Sequence, residues 1–258
     1  MRQYAVVFAA ALFLAADAVP ARAELRYTVK IDVTKSAAAA TPMAAAIGQL
    51  ITQIAPEGSL ETIYVVGPRG VRAELSKAMG DIPAGTIVLW KPGSPKELLL
   101  LNPATKTYTR TAVANAAETM AAAGIRLNPT VSGPADGGAI AGIPTQKWTT
   151  KVAVDFAMAA SLPPDARAAM AAMQRDGAAT GEVWTAAGRF LDYAVIARKT
   201  GMADLLGATG LSTTKINGFV MRQHLRAGGH EVRFEVTKIS EEAVPASMFE
   251  VPAGYTAR

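Results

Sequence analysis

The chain has 258 residues, no cysteine and a formal charge of +5; half its residues are hydrophobic and 18 % are charged. The absence of cysteine excludes disulfides, a lipid-modified cysteine, thiol catalysis and thiolate metal sites. The basic excess is spread thinly, with no dense Lys/Arg run and no basic face interleaved with aromatics. It reads as a mildly basic solvated surface and not as a nucleic-acid interface.

Residues 1–23 read as a secretory signal peptide. Arg2 supplies the charged start, and the apolar stretch from Ala5 to Ala16 is short for crossing about 30 Å of hydrocarbon. Pro20 breaks the stretch before Ala21-Arg22-Ala23, whose alanines sit where a signal peptidase inspects the chain, so cleavage is expected after Ala23. No later run approaches the ~18 uninterrupted apolar residues of a spanning helix. The mature chain, residues 24–258, is therefore expected in the periplasm without an integral membrane span, and it is long enough to bury a core without staples.

Leu25 to Thr34 alternates strictly, with Leu25, Tyr27, Val29, Ile31 and Val33 on one side, which predicts a strand with one buried face. The Ala-rich stretch from Ser36 to Ala55 predicts a short amphipathic helix, started by Thr41 and Pro42, with Ile47, Leu50, Ile51 and Ile54 on its apolar stripe. A meander follows: Thr62 to Val66, Val71 to Leu75, Thr86 to Trp90, Lys96 to Leu101 and Thr105 to Arg110 are short apolar or alternating runs. Gly67-Pro68-Arg69-Gly70, Ile82-Pro83-Ala84-Gly85, Pro92-Gly93-Ser94-Pro95 and Asn102-Pro103 separate them as turns. Such short spacing implies consecutive antiparallel hairpins, because parallel pairs need long crossovers.

Ala112 to Ala123 predicts a helix with Val113, Ala116, Ala117 and Met120 on one stripe and Gly124 as its stop. Residues 128–144, rich in Gly and Pro, read as a loop or an edge segment and as the candidate hinge of the domain. Gln146 to Phe156 alternates again, with Trp148, Val152, Val154 and Phe156 on one face. Pro163-Pro164 opens a further short helix with Ala166, Met170 and Met173 on its stripe. Glu182 to Thr185 and Phe190 to Ala197 predict two strands around Gly188, and a helical turn carries Met202, Leu205 and Leu206. The last pair, Ile216 to Arg226 and His230 to Ser240, is the clearest hairpin. Its second strand has Val232, Phe234 and Val236 on one face and Glu231, Arg233 and Glu235 on the other. The fold expected is α+β and β-dominated: a strongly curved antiparallel sheet of roughly ten strands, a half-barrel, with short helices packed on its concave side.

Catalytic signatures are missing. There is no G-x-S-x-G elbow, phosphate-binding loop, G-x-G-x-x-G or aspartate-rich calcium loop. His230-Glu231 begins like a zinc-protease helix, but Phe234 stands where the second histidine belongs and the segment reads as a strand. His224 and His230 flank one hairpin turn and read as two solvent-facing histidines there, with a weak metal or proton site as the sharper alternative. Glu241 and Glu242 are strand neighbours that point to opposite sides, so they cannot act as a pair. What is in surplus is soft apolar side chains on the predicted helices: Met43, Met120, Met170, Met173 and Met202. These fill cores in most proteins and line adaptable apolar surfaces in others.

Val244-Pro245-Ala246-Ser247-Met248-Phe249-Glu250-Val251-Pro252-Ala253-Gly254-Tyr255 resembles the ending of a family of uncharacterised secreted bacterial proteins with a domain of unknown function, which belongs with the LolA-like half-barrels, the outer-membrane lipoprotein carriers and their relatives. Ile140 to Trp148, Gly181-Glu182-Val183-Trp184, Asn217-Gly218-Phe219 and Val236-Thr237-Lys238-Ile239 resemble further strands of that family, in order. The Ala-rich stretch from Ser36 to Ala55 departs from it. In the terminal motif Phe249 and Val251 are placed to pin the tail against the sheet while Pro252 and Gly254 turn it, a fold-stabilising role.

The resemblance implies a half-barrel over residues 24–258 whose concavity holds acyl chains, as a carrier, a sensor of mislocalised lipoproteins or a protein without a ligand. The reading that follows is a monomeric, non-enzymatic periplasmic binding protein for an apolar or lipidic ligand, with no cofactor and no metal. Its apolar lining is assigned to Met120, Met170, Met173, Trp148, Trp184 and Phe234. The alternative is an envelope scaffold with a self-filled core and no small ligand. A hydrolase or transferase would need a polar convergent cleft that the sequence does not display.

Overall fold

The alternation of residues 25–34 becomes strand β1 (Glu24–Lys35), in which Leu25, Tyr27, Val29 and Val33 are buried while Arg26, Lys30 and Thr34 are exposed. The structure, a computed structural model, describes residues 24–35, 58–78, 82–94, 96–112, 125–156, 179–186, 188, 216, 218–227 and 229–258. The meander follows as β2 (Gly58–Gly67), β3 (Gly70–Leu75), β4 (Ile87–Trp90), β5 (Glu97–Asn102) and β6 (Thr107–Ala112). Then come β7 (Ile125–Ile140), β8 (Ile143–Phe156), β9 (Ala179–Ala186), β10 (Phe219–Ala227) and β11 (His230–Glu242). A 3-10 turn (Ala246–Phe249) and the two-residue β12 (Thr256–Ala257) end the chain.

The twelve strands of the described residues form one curled sheet in the order β12-β6-β5-β4-β3-β2-β1-β11-β10-β9-β8-β7. Every neighbouring pair is antiparallel except β12 with β6. β1 lies centrally, with β2 on one side and β11 on the other, so the first and last long strands of the described chain pair directly. Register shifts at Thr28/Val29 and at Val220/Arg222 place bulges in this central region, where they sharpen the local twist.

The expected count of roughly ten strands rises to twelve because β7 and β12 lack an apolar alternation. β7 carries Pro129, Pro134 and two register shifts, features an edge strand tolerates because only one side of it enters a ladder. Among the described residues the 3-10 turn is the sole helical segment, so the short helices expected to accompany the sheet are not part of the described fold. The helices read at Ser36 to Ala55, Ala112 to Ala123 and after Pro163-Pro164, the helical turn at Met202, the strand at Phe190 to Ala197 and the signal segment 1–23 all lie outside the described residues, Ala112 apart, which ends β6. No helix among the described residues is long and apolar enough to cross a membrane.

The turns follow their residue chemistry. Gly70 has a φ of +141°, and a Cβ there would lie 2.2 Å from the Trp90 carbonyl oxygen, so only glycine fits. Asn102 Oδ1 accepts from the backbone N–H groups of Ala104 at 3.0 Å and Thr105 at 3.3 Å, which closes the β5–β6 turn.

Two apolar layers meet at β4. Val88 and Trp90 join the main core, while Ile87 and Leu89 face a second cluster with Leu101. Val251 and Tyr255 of the terminal segment pack on that second cluster together with Leu99 and Tyr108. Burial on both faces explains why β4 is an unbroken apolar run. The tail is fixed by backbone bonds from Thr256 N to Lys106 O at 3.0 Å and from Arg258 N to Tyr108 O at 2.9 Å.

Glu24 secures the same segment from β1. Only 5 % exposed, it receives Arg69 Nη2 on Oε1 at 2.5 Å and the Val244 N–H on Oε2 at 3.3 Å. Arg69 also donates to the Val244 carbonyl at 3.0 Å and lies over the buried Phe249 ring at 5.5 Å.

Candidate functional site

The main apolar cluster collects Leu25, Tyr27 and Val29 from β1, Tyr64 and Val66 from β2, and Phe219 and Met221 from β10, with residues of β3, β4, β5, β7, β9 and β11. At its centre the Tyr27 and Tyr64 rings stack at 4.9 Å with an interplanar angle of 11°, and Phe219 meets Tyr27 edge-on at 5.3 Å. Burial pushes the ionisation of the Tyr64 hydroxyl far above its ordinary range, so this centre stays uncharged. Half-buried Ile31, Leu60, Leu100, Trp184, Phe234 and Ile239 flank the cluster.

A second feature is ionic. Lys147, Trp184, Arg222 and Glu235 are direct cross-strand partners on β8, β9, β10 and β11 and make one row across the sheet. Lys147 Nζ lies 5.0 Å and Arg222 Cζ 5.5 Å from the Trp184 ring centroid. Lys147 pairs with Glu182 at 2.5 Å, and Arg222 binds Glu235 through Nε and Nη2, each at 3.0 Å. In the next rows His224 Nε2 contacts Glu231 Oε1, with Glu182 Oε2 at 3.9 Å from Nδ1. Arg226 and Arg233 reach the same Glu231 oxygen at 3.4 and 3.2 Å. Burial opposes ionisation of Glu231, but the hydrogen bonds and charges of His224 and Arg233 outweigh it and hold the carboxyl below its ordinary value.

The histidines are not the solvent-facing pair expected at the turn. His230 is 8 % exposed, and the His224 side chain is 16 % exposed among carboxylates. Register separates them further: His224 opposes Arg233 and His230 opposes Ala227, an odd number of positions along β10, so the two rings lie on opposite faces. No group of three or more His, Asp or Glu that could hold a metal occurs among the described residues.

Of the residues assigned to the apolar lining, Met120, Met170 and Met173 lie outside the described residues. Trp184 and Phe234 pack against the main cluster. Trp148 does not join them. It opposes Val183 while Lys147 opposes Trp184, which places the two tryptophans on opposite faces of the β8–β9 ladder. Trp148 centres a separate cluster with Val183 and Ile216, and its Nε1 donates to Thr185 Oγ1 at 3.0 Å. Sequence reasoning did not single out Tyr64, Phe219, Lys147 or Arg222. Tyr64 lies in an apolar run that hides its face, and Phe219 and Arg222 flank a bulge that breaks the period of two.

Three solved structures are similar to this chain at low identity. An uncharacterized conserved protein from Thermus thermophilus is 9 % identical, with 91 % of this chain and 89 % of that one covered and a TM-score of 0.43. LprF from Mycobacterium bovis is 14 % identical, with 87 % of each chain covered and a TM-score of 0.31. A domain from Vibrio parahaemolyticus described as a putative outer membrane lipoprotein-sorting protein domain is 10 % identical, with 88 % and 89 % covered and a TM-score of 0.28. No curated protein matches the sequence. A family model matches residues 48–153 and 170–255, which take in β2 to β7, most of β8, β9 to β11 and the terminal segment as far as Tyr255. The chain belongs to the family described as Domain of unknown function (DUF4412).

Proposed function

We propose that this protein is a non-enzymatic binding protein of the bacterial envelope, exported to the periplasm, which holds an apolar or lipidic ligand such as an acyl chain against the apolar face of its sheet. The observation that carries this reading is the continuous apolar cluster from β5 to β8, centred on Tyr27, Tyr64 and Phe219 and flanked by half-buried Leu60, Trp184 and Phe234. The resemblance of the Val244 to Tyr255 ending to that of a secreted family belonging with the LolA-like half-barrels supports it. A mainly apolar surface suits a ligand held by area, where each buried methylene contributes about 0.8 kcal/mol.

Native mass spectrometry of the mature protein purified from a bacterial periplasm, with organic extraction, tests the reading. One equivalent of co-purifying phospholipid or acylated peptide is expected. A clean apo mass that persists after incubation with lipid vesicles would overturn it in favour of an envelope scaffold with a self-filled core.

A further inference from the structure

Trp184 stands where the main apolar cluster meets the ionic row: it packs against the cluster and carries Lys147 and Arg222 against its ring. Resting on the reading of that cluster as a ligand surface, we propose that Lys147 and Arg222 form a headgroup site. The ligand is then an anionic amphiphile, an acyl chain ending in a carboxylate or phosphate, and not a neutral apolar molecule.

Two like charges on one indole repel each other, and the sheet register nevertheless brings both there from β8 and β10, directly opposite Trp184. Each is balanced by one carboxylate, Glu182 or Glu235, and all four side chains are about a third or more exposed. Pairs of that exposure contribute about 0–1 kcal/mol, so replacing the protein carboxylate with a ligand's acidic group costs little.

The neighbouring cations differ. Arg226 and Arg233 share Glu231 with His224, and the Glu231 side chain is only 13 % exposed, so they are engaged in a network that a ligand would have to dismantle. Across these rows the cations Lys147, Arg222, Arg226 and Arg233 face Glu182, Glu231 and Glu235, an excess of one positive charge before His224 is counted. Arg222 adds a planar fork that matches carboxylate and phosphate oxygens in pairs. An apolar tail on the cluster and an acidic head at Lys147 and Arg222 would lie on either side of one ring.

The test compares binding of cis-parinaric acid and its methyl ester to the mature full chain by fluorescence titration. The acid is expected to bind about tenfold or more tightly than the ester, the ratio set by a charge-assisted hydrogen bond. Added salt should lower the affinity for the acid and not for the ester. In the double variant Lys147→Gln with Arg222→Gln the two ligands should bind alike, while Lys147→Arg keeps the preference.

Equal binding of acid and ester by the unaltered protein overturns the headgroup site and leaves the apolar reading standing. Binding of neither overturns both. Displacement of the acid by an equal concentration of inorganic phosphate would make this a site for a free anion and overturn the amphiphile assignment. If the double variant fails to fold, as circular dichroism would reveal, the acid-to-ester ratio and its salt dependence in the unaltered protein decide the matter.

Discussion

In the β4–β6 region both faces of the sheet contribute to apolar clusters: Val88, Trp90 and Leu98 belong to the main core, while Ile87, Leu89 and Leu101 are covered by Val251 and Tyr255. In the β8–β10 region the arrangement differs. Trp148 and Val183 bury one face, and the opposite face carries Lys147, Glu182, Trp184, Arg222 and His224 in cross-strand rows. The first region is a sandwich closed by the chain's own tail, so its stability rests on packing. The second presents ion pairs about a third or more exposed beside an aromatic ring, which is where the proposed headgroup site lies. Strand propensity does not separate the two; what covers the second face does.

The largest effect should come from opening the sandwich. Leu101→Ala, at a side chain 0 % exposed, is expected to cost about 2–5 kcal/mol in urea unfolding, because the rigid surroundings retain the cavity. A loss below about 1 kcal/mol would show that the tail does not close this layer.

Releasing the tail at its other anchor should come next. Glu24→Gln weakens charge-assisted bonds to Arg69 and Val244 and is expected to cost about 1.5–3 kcal/mol, with faster proteolysis after residue 242. Unchanged proteolysis would place the anchoring in Phe249, Val251, Tyr255 and the backbone bonds of Thr256 and Arg258.

In the ionic region Glu231 gives a pH signature. Its folded-state ionisation lies below the ordinary 4.5, so it contributes stability above that pH and loses it as pH falls through the lowered value. Between pH 6 and 3, Glu231→Gln should flatten the fall in unfolding free energy; a profile parallel to the parent's would assign the acid sensitivity elsewhere. The smallest effect is expected at the exposed row itself. Arg222→Gln should change stability by less than about 1 kcal/mol, and a larger loss would make the pair with Glu235 structural.

Much of the sandwich was legible in the residues. The alternation of Leu25 to Val33, the turn chemistry of Gly67 to Gly70 and the apolar run at Ile87 to Trp90 each point to a strand boundary or a buried face without any knowledge of partners. The tail was legible too, since Phe249 and Val251 are apolar residues in a Pro- and Gly-bounded segment, and both pack as that pattern implies. The β8–β10 region was legible only in part. The register puts Trp148, Val183, Gln223 and Phe234 in one row and Trp184 in the neighbouring row on the other face, although Trp184 and Phe234 both pack against the main cluster. Neighbouring strands carry no mark of relative register, and a slip of one residue exchanges the faces.

Most strands, their turns and the antiparallel pairing of the meander follow from the residues alone, because period-two burial and glycine geometry are local properties of the chain, whereas β7 and β12 lack that alternation. That β1 lies between β2 and β11, that His224 and His230 face apart, and that Lys147 and Arg222 converge on Trp184 emerges only from the folded sheet. Those relations depend on ladder register and on the bulge at Val220/Arg222, which join residues dozens of positions apart and leave no periodic trace in either segment.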